Sequence, residues 1–165
     1  MRDAEEADVP ALTAIKGDAG AALHRDRLRE SQGSGFRYLV LQVDQEIIGF
    51  ACLVFRRPSN WSDAGNTQHL PQIVDLLVNE SHRGRGYGST LVRTIEQIVA
   101  AKGYDQLFID VEPFDNPRAY ALYQRLGFQP LQSEPYLSSW KFTDSAGKDH
   151  HGEAWVVDMV KQCSK

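Results

Sequence analysis

The residues whose types and spacing could do chemistry are Arg83-Gly84-Arg85-Gly86-Tyr87-Gly88-Ser89, where glycines and arginines alternate. Glycine accepts backbone angles closed to other residues and lets main-chain N–H groups approach a ligand closely. A nearly continuous apolar run, Gln72–Asn79, precedes this segment, and Leu91, Val92, Ile95, Ile98 and Val99 follow it at helical spacing. The segment therefore reads as a turn from a buried strand into the start of an amphipathic helix. A helix start carries unpaired N–H groups and the positive end of the dipole, and arginines add charge-assisted bonds to phosphate oxygens. The chemistry expected is capture of a phosphate-bearing ligand; a glycine-rich turn with no ligand is the alternative.

Two common phosphate binders do not fit. A P-loop needs Gly-x-x-x-x-Gly-Lys-Ser/Thr, and that lysine is absent. A dinucleotide fingerprint needs Gly-x-Gly-x-x-Gly near the start of a βαβ unit, whereas Gly84-x-Gly86 is followed at the third position by Ser89, in mid-chain.

The elements that must position this turn read as follows. Ala4–Gly17 places Val9, Leu12 and Ile15 at helical spacing, with Asp8 as N-cap and Pro10 in the first turn; Gly20–Gln32 reads as a second, charged helix. Phe36–Val43 and Ile47–Phe55, joined by Asp44-Gln45-Glu46, predict an antiparallel hairpin. Arg57–Leu70 is rich in turn formers and reads as a long loop, either a lid over a substrate or a tolerated insertion. After the glycine turn come a helix ending at Lys102-Gly103, a strand over Leu107–Val111, and a helix capped by Asn116-Pro117 with the stripe Ala119, Leu122, Tyr123 and Leu126. Tyr136–Phe142 and Ala154–Lys161 read as strands around a polar loop holding His150 and His151. The order predicts a mixed α/β sheet with flanking helices.

The bulk properties bound the function. With 165 residues, 42% hydrophobic and 24% charged, the chain fits one soluble domain over 1–165. A net charge of −4 argues against a general nucleic-acid binder. The acidic start is no signal peptide, and the longest apolar run, Ile47–Phe55, is far short of the ~20 residues of a membrane span. Cys52 and Cys163 are too few for a disulfide framework or zinc site, and Cys52 reads as a small buried hydrophobe. The expectation is a cytoplasmic protein without metal, nucleic-acid partner or membrane anchor.

At Arg83, Gly86 and Gly88 the sequence resembles the GNAT superfamily of N-acetyltransferases, whose cofactor signature is Gln/Arg-x-x-Gly-x-Gly/Ala. A second motif agrees: Asn116 before a helix of the form Ala119-x-x-x-Tyr123, closing in Gly127-Phe128. The resemblance covers roughly Phe36–Phe128. It implies an α/β (α+β) GNAT-like domain, mostly antiparallel, with a splayed central parallel pair. It also implies acetyl-CoA as cosubstrate and acetyl transfer to an amine. Leu76, Leu77 and Val78 would offer main-chain groups to the pantetheine arm, and Arg83, Gly84, Arg85, Gly86, Tyr87, Gly88 and Ser89 would bind the pyrophosphate. Asn116 would contact the pantetheine, or serve only as an N-cap. Tyr123 would be the general acid protonating the departing thiolate, or a core residue of its stripe.

For the general base, Asp110 looks similar in placement to an acid of ribosomal-protein N-terminal acetylases. Asp75 is a second candidate, and Glu112 shares a strand face with Asp110; each is otherwise a structural or solvated carboxylate. Glu112–Asp115 departs from many relatives by one residue. Pro71 and Gln72 stand where histone-acetylating members carry a glutamate, which argues against that substrate. The acceptor expected is a small-molecule primary amine, with a protein N-terminus or lysine, or a non-catalytic acyl-CoA sensor, as alternatives. A homodimer is expected from the resemblance alone. Trp61, Trp140 and Trp155 line an acceptor pocket or, more simply, pack in a core or interface.

Overall fold

Val9 and Leu12 are withdrawn from solvent at the start of the chain, and the helix that carries them is the first of two laid on one face of a sheet. The computed structural model describes residues 1–17, 20–55, 67 and 69–163. Strand β1 (Arg2–Asp3) and a 3-10 turn over Glu6–Asp8 lead into α1 (Val9–Lys16) and α2 (Gly20–Glu30). Asp8 precedes α1 but makes no side-chain cap bond there. Its carboxylate instead accepts from the Glu5 N–H at 2.8 Å and from both ends of the Arg2 guanidinium at 2.7 and 2.8 Å. That arginine holds the Asp8 carboxyl below the usual range.

The apolar runs become β2 (Phe36–Val43), β3 (Glu46–Val54) and β4 (Gln72–Val78). Asp44 and Gln45, at φ 47° and 70°, close the β2–β3 hairpin in the left-handed region, the twist that tight hairpins favour. Helix α3 (Tyr87–Ala101) buries Leu91, Val92, Ile95 and Val99, and leads to β5 (Gln106–Val111). Helix α4 (Pro117–Arg125) precedes β6 (Gln129–Pro130), β7 (Tyr136–Thr143) and β8 (Asp149–Gln162). The strands order as β1-β2-β3-β4-β5-β8-β6, with β7 paired to β8. Only β4 and β5 run parallel among the pairs recorded between described residues.

Three details position the site. First, the parallel pair is short: Gln72 opposes Phe108 and Ile73 opposes Ile109, and no pairing continues beyond them. On its other edge β4 stays paired to β3 as far as Val78 opposite Gly49. The central pair thus splays from Val74 onward, as the resemblance implies.

Second, Leu53 opposes Ile73 while Cys52 opposes Asp75, so Val74 is an extra residue in β4. Such a bulge reverses the alternation of side chains. Ile73 packs in the cluster beneath α3, whereas Asp75, two residues on, meets α1 and α2 on the other face.

Third, β8 begins at Asp149, five residues before the expected start at Ala154, because β7 pairs with it through Thr143 opposite Asp149. His150 and His151 therefore lie in the strand rather than in a loop. Glu112 lies past the end of β5, where its carbonyl accepts from the Asn116 N–H, and does not share the strand face with Asp110. Trp140 and Trp155 are about half exposed, so neither is core. Trp61 and most of Arg57–Leu70 lie outside the described residues.

Candidate active site

The glycine turn sits at the mouth of the splay. Gly84 and Gly86 have φ 77° and 86°, a conformation that side chains oppose, and an added Cβ at either would meet nothing within 4 Å. Gly86 is the N-cap of α3 and, lacking a side chain, caps no N–H. The first-turn amides of Tyr87, Gly88 and Ser89 therefore have no intrahelical acceptor and sit at the positive end of the helix dipole. Arg83 and Arg85 are exposed beside them. These observations fit a diphosphate.

The structure also gives two motif residues tasks that spacing did not reveal. Arg83 Nε donates to the Val78 carbonyl at 3.0 Å, fastening the turn to the end of β4. Gly88 packs closely on α4: a Cβ there would lie 3.2 Å from Cδ2 of Leu122, which would have to give by a few tenths of an ångström.

Leu76, Leu77 and Val78 lie on the splayed half of β4. Gly49 supports them, because a Cβ on it would sit 2.7 Å from the Leu77 carbonyl. Asn116 caps α4 by accepting from the Ala119 N–H at 3.3 Å, leaving its NH2 group for any other partner. Tyr123 is buried, with its ring edge-on to Phe128 at 5.6 Å. Burial, reinforced by the negative charges of Asp110 and Asp75, pushes its phenol above the ordinary value, so it holds its proton at neutral pH.

Asp110 is exposed on β5 and accepts from Gln72 Nε2 at 2.8 Å. Directly across β8 stands Asp158, buried, with the Tyr136 hydroxyl donating to it at 2.9 Å. Sequence reasoning missed Asp158 and Tyr136, since their partnership depends on the β5–β8 register. Asp75, the second candidate base, receives Lys16 Nζ at 2.7 Å and Arg27 Nη2 at 2.9 Å on one oxygen. That pairing makes it the centre of an ion-pair cluster.

The cluster continues inward. The Arg27 guanidinium stands 5.7 and 5.9 Å from the ring centres of Tyr38 and Phe50. Tyr38 shares a 2.7 Å hydrogen bond with Nδ1 of the fully buried His24. Burial, then the cations of Arg27 and Lys16, push the His24 imidazole down to about 4, so it is neutral at pH 7. Burial likewise pushes the Cys52 thiol up to about 12, leaving it an inert core side chain, as expected. Among the described residues no group of three or more His, Cys, Asp or Glu could hold a metal. No described helix is long and apolar enough to cross a membrane.

A splayed parallel pair whose longer arm runs into an open, arginine-flanked helix start frames the candidate site. Residues 2–128 match the model of the acetyltransferase (GNAT) family, and the chain belongs to that family. It is 27% identical over 119 residues to streptothricin acetyltransferase of Streptomyces lavendulae, covering 72% of this chain and 58% of that protein. Across this and four further curated relatives, the matched stretch spans between 25% and 58% of the relative's length. Among solved structures it is similar to ribosomal-protein-alanine N-acetyltransferase from Brucella melitensis (TM-score 0.70, 23% identity, 98% of each chain). It is also similar to yncA, a putative acetyltransferase from Salmonella typhimurium with its cofactor acetyl-CoA (TM-score 0.70, 18% identity, 99% of this chain and 93% of that one).

Proposed function

We propose that the chain transfers an acetyl group from acetyl-CoA to the primary amine of a small molecule, by direct attack in a ternary complex. The observation that carries this reading is the splay of β4 from β5 after Ile73, opening beside the uncapped amides at Gly86. Acetyl-CoA supplies the thioester whose acyl group moves. The main chain of Leu76, Leu77 and Val78 pairs with the pantetheine arm as an added strand would, and holds the thioester carbonyl against strand N–H groups. The amides of Gly84–Ser89, with Arg83 and Arg85, hold the pyrophosphate, and the Asn116 amide steadies the arm.

Asp110, held by Gln72, takes the proton the amine must lose, directly or through water. Asp75 is unsuited to that task, because accepting a proton would release Lys16 and Arg27. Tyr123 holds its proton and donates toward the departing sulfur. Its raised phenol makes full transfer harder than for a free tyrosine, so its hydrogen bond to the thiolate contributes throughout the step. The relative named for streptothricin supports a small-molecule acceptor.

Titration calorimetry with CoA and acetyl-CoA tests the cradle, and no heat with either would end the reading. With turnover established, Tyr123→Phe is expected to lower kcat by roughly 10²-fold with little change in CoA affinity. An unaltered rate would remove Tyr123 from the chemistry. CoA binding without turnover over a broad amine panel would indicate a sensor module.

A further inference from the structure

Gln72 and Asp110 meet where the central parallel pair begins to open. The backbone of Gln72 is held from both sides, opposite Val54 of β3 and Phe108 of β5, and the next pair, Ile73 with Ile109, is the last before the strands part. Ile73 and Ile109 pack in the cluster beneath α3. Side chains alternate along a strand, so Gln72, Phe108 and Asp110 share the opposite face. There Gln72 Nε2 donates to Asp110 Oδ1 at 2.8 Å. This bond also fixes which way round the amide stands, since the reversed amide would set Oε1 against a carboxylate oxygen.

Oriented so, the amide leaves Oε1 without a hydrogen-bond partner, although Gln72 is only 5% exposed. The other buried side-chain atoms without a partner among the described residues are nitrogens, in His24, Arg27 and Gln132. A buried acceptor left unpaired is rare and calls for a donor. Within one amide Oε1 lies about 2.3 Å from Nε2, so it stands at most about 5 Å from Asp110 Oδ1. Two N–H groups of a single amine nitrogen, each about 2.9 Å from its acceptor and diverging at the tetrahedral angle, span acceptors about 4.7 Å apart. The two oxygens therefore match one nitrogen carrying two hydrogens. Asp110 is exposed, so an amine can reach the pair from its side.

We propose that Gln72 is a catalytic residue that reads the acceptor: its Oε1 accepts one N–H of the amine while Asp110 takes the other proton, which makes the site selective for primary over secondary amines. This rests on the acetyl-transfer reading and assigns a residue that sets the substrate class of that same site. As the N–C bond forms, the electrons of the C–S bond leave with sulfur toward the Tyr123 hydroxyl. One amine proton passes to Asp110, and the hydrogen that remains on nitrogen stays on Gln72 Oε1 into the amide product. An N-methyl amine has a single hydrogen. Once that goes to Asp110, the methyl group covers Oε1 and leaves the acceptor both dry and unpaired, the costlier way to lose a hydrogen bond.

The test compares kcat/KM for the best primary amine of an acceptor panel and for its N-methyl derivative, in wild type, Gln72→Met and Gln72→Glu. The ratio cancels whatever a substitution does to Asp110 as a base, since both amines lose a proton to it. Gln72→Met, close in shape but without the acceptor, is expected to cut the primary-to-secondary ratio about 3- to 10-fold, the range of one hydrogen bond. Gln72→Glu is expected to keep it. Of two carboxyls so close one stays protonated, donating to Asp110 as Nε2 does and leaving a carbonyl oxygen in place of Oε1. An unchanged ratio in Gln72→Met overturns the proposal and makes the unpaired oxygen a water site. A second readout needs no turnover: the side-chain NH2 resonance of Gln72, assigned by its loss in Gln72→Met, followed as the protein with CoA present is titrated with methylamine or trimethylamine. A saturable shift with methylamine alone supports the two-point hold on the amine, whereas equal shifts with both, or none, refute it. Absence of turnover with every amine counts against the acetyl-transfer reading and leaves that resonance to decide the role of Gln72.

Discussion

The two faces of the central sheet are stabilised by different means. Toward α3 and α4 the sheet presents Leu39, Leu41, Ile48, Leu53 and Ile73, meeting Leu91, Val92, Ile95 and Val99, so the contact is apolar throughout. Toward α1 and α2 an apolar cluster of Val9, Leu12, Val40 and Phe50 surrounds His24, Tyr38, Arg27, Lys16 and Asp75, a polar network set into the sheet. An apolar contact tolerates small shifts at modest cost, while a partly buried ionic network depends on every partner being present. The face that packs against α3 and its glycine turn is thus the forgiving one, and the face that packs against α1 and α2 is exacting.

Breaking the network is the most direct challenge to that contrast. Asp75→Ala leaves Arg27 and Lys16 facing each other with their shared carboxylate gone. The expected loss is about 3–5 kcal/mol of unfolding free energy, read from urea midpoints at constant slope. A loss below about 1 kcal/mol would mean that both cations simply re-hydrate and the network holds nothing together.

Acid provides a second challenge without altering the chain. The His24 imidazole takes its proton near pH 4 in the folded protein but near 6.5 once unfolded. Between those values the unfolded state binds more protons, so stability rises with pH across that window and falls on acidification through it. From pH 7 to about 4.5 the expected decline from this group is roughly 2–3 kcal/mol. Asp8, paired with Arg2, starts to lose its contribution only as pH falls toward the ordinary carboxylate range, at the foot of that window, and most of its loss lies below it. His24→Gln should flatten the dependence between pH 4.5 and 6.5; an identical slope in both proteins would assign it elsewhere.

The same contrast decides what the sequence revealed. Periodicity located the strands and helices of the α3–α4 face, because Leu91, Val92, Ile95 and Val99 repeat with the helical turn and Gln72–Val78 is an apolar run. The Arg83–Ser89 turn was visible for a similar reason: local backbone demands had selected glycine at Gly84 and Gly86. Asp75 could not be placed, since one extra residue at Val74 decides its face and nothing in Ile73-Val74-Asp75 announces a bulge. Asp158 stands opposite Asp110 and receives the Tyr136 hydroxyl only through strand register, and Phe142 comes to stack on His150 only through the β7–β8 pairing, in a strand that starts earlier than apolar patterning suggested. Short-range chemistry was legible; contacts made across the sheet were not.

The mildest substitution sharpens the comparison from the forgiving side. At Gly86 an added Cβ meets open space, so Gly86→Ala carries no steric collision and its cost is that of holding a non-glycine residue at φ 86°. That cost is roughly 1–2 kcal/mol, well below the expectation for Asp75→Ala. Relaxation of the strained cap would swing the amides of Tyr87, Gly88 and Ser89 off their common aim, so CoA affinity should fall further than stability does. Calorimetry and urea unfolding on the same preparation separate the two. A variant that loses stability yet binds CoA as tightly as wild type would show that the left-handed cap at Gly86 serves the fold of α3 alone, and that the anion is held by Arg83 and Arg85 rather than by the main chain.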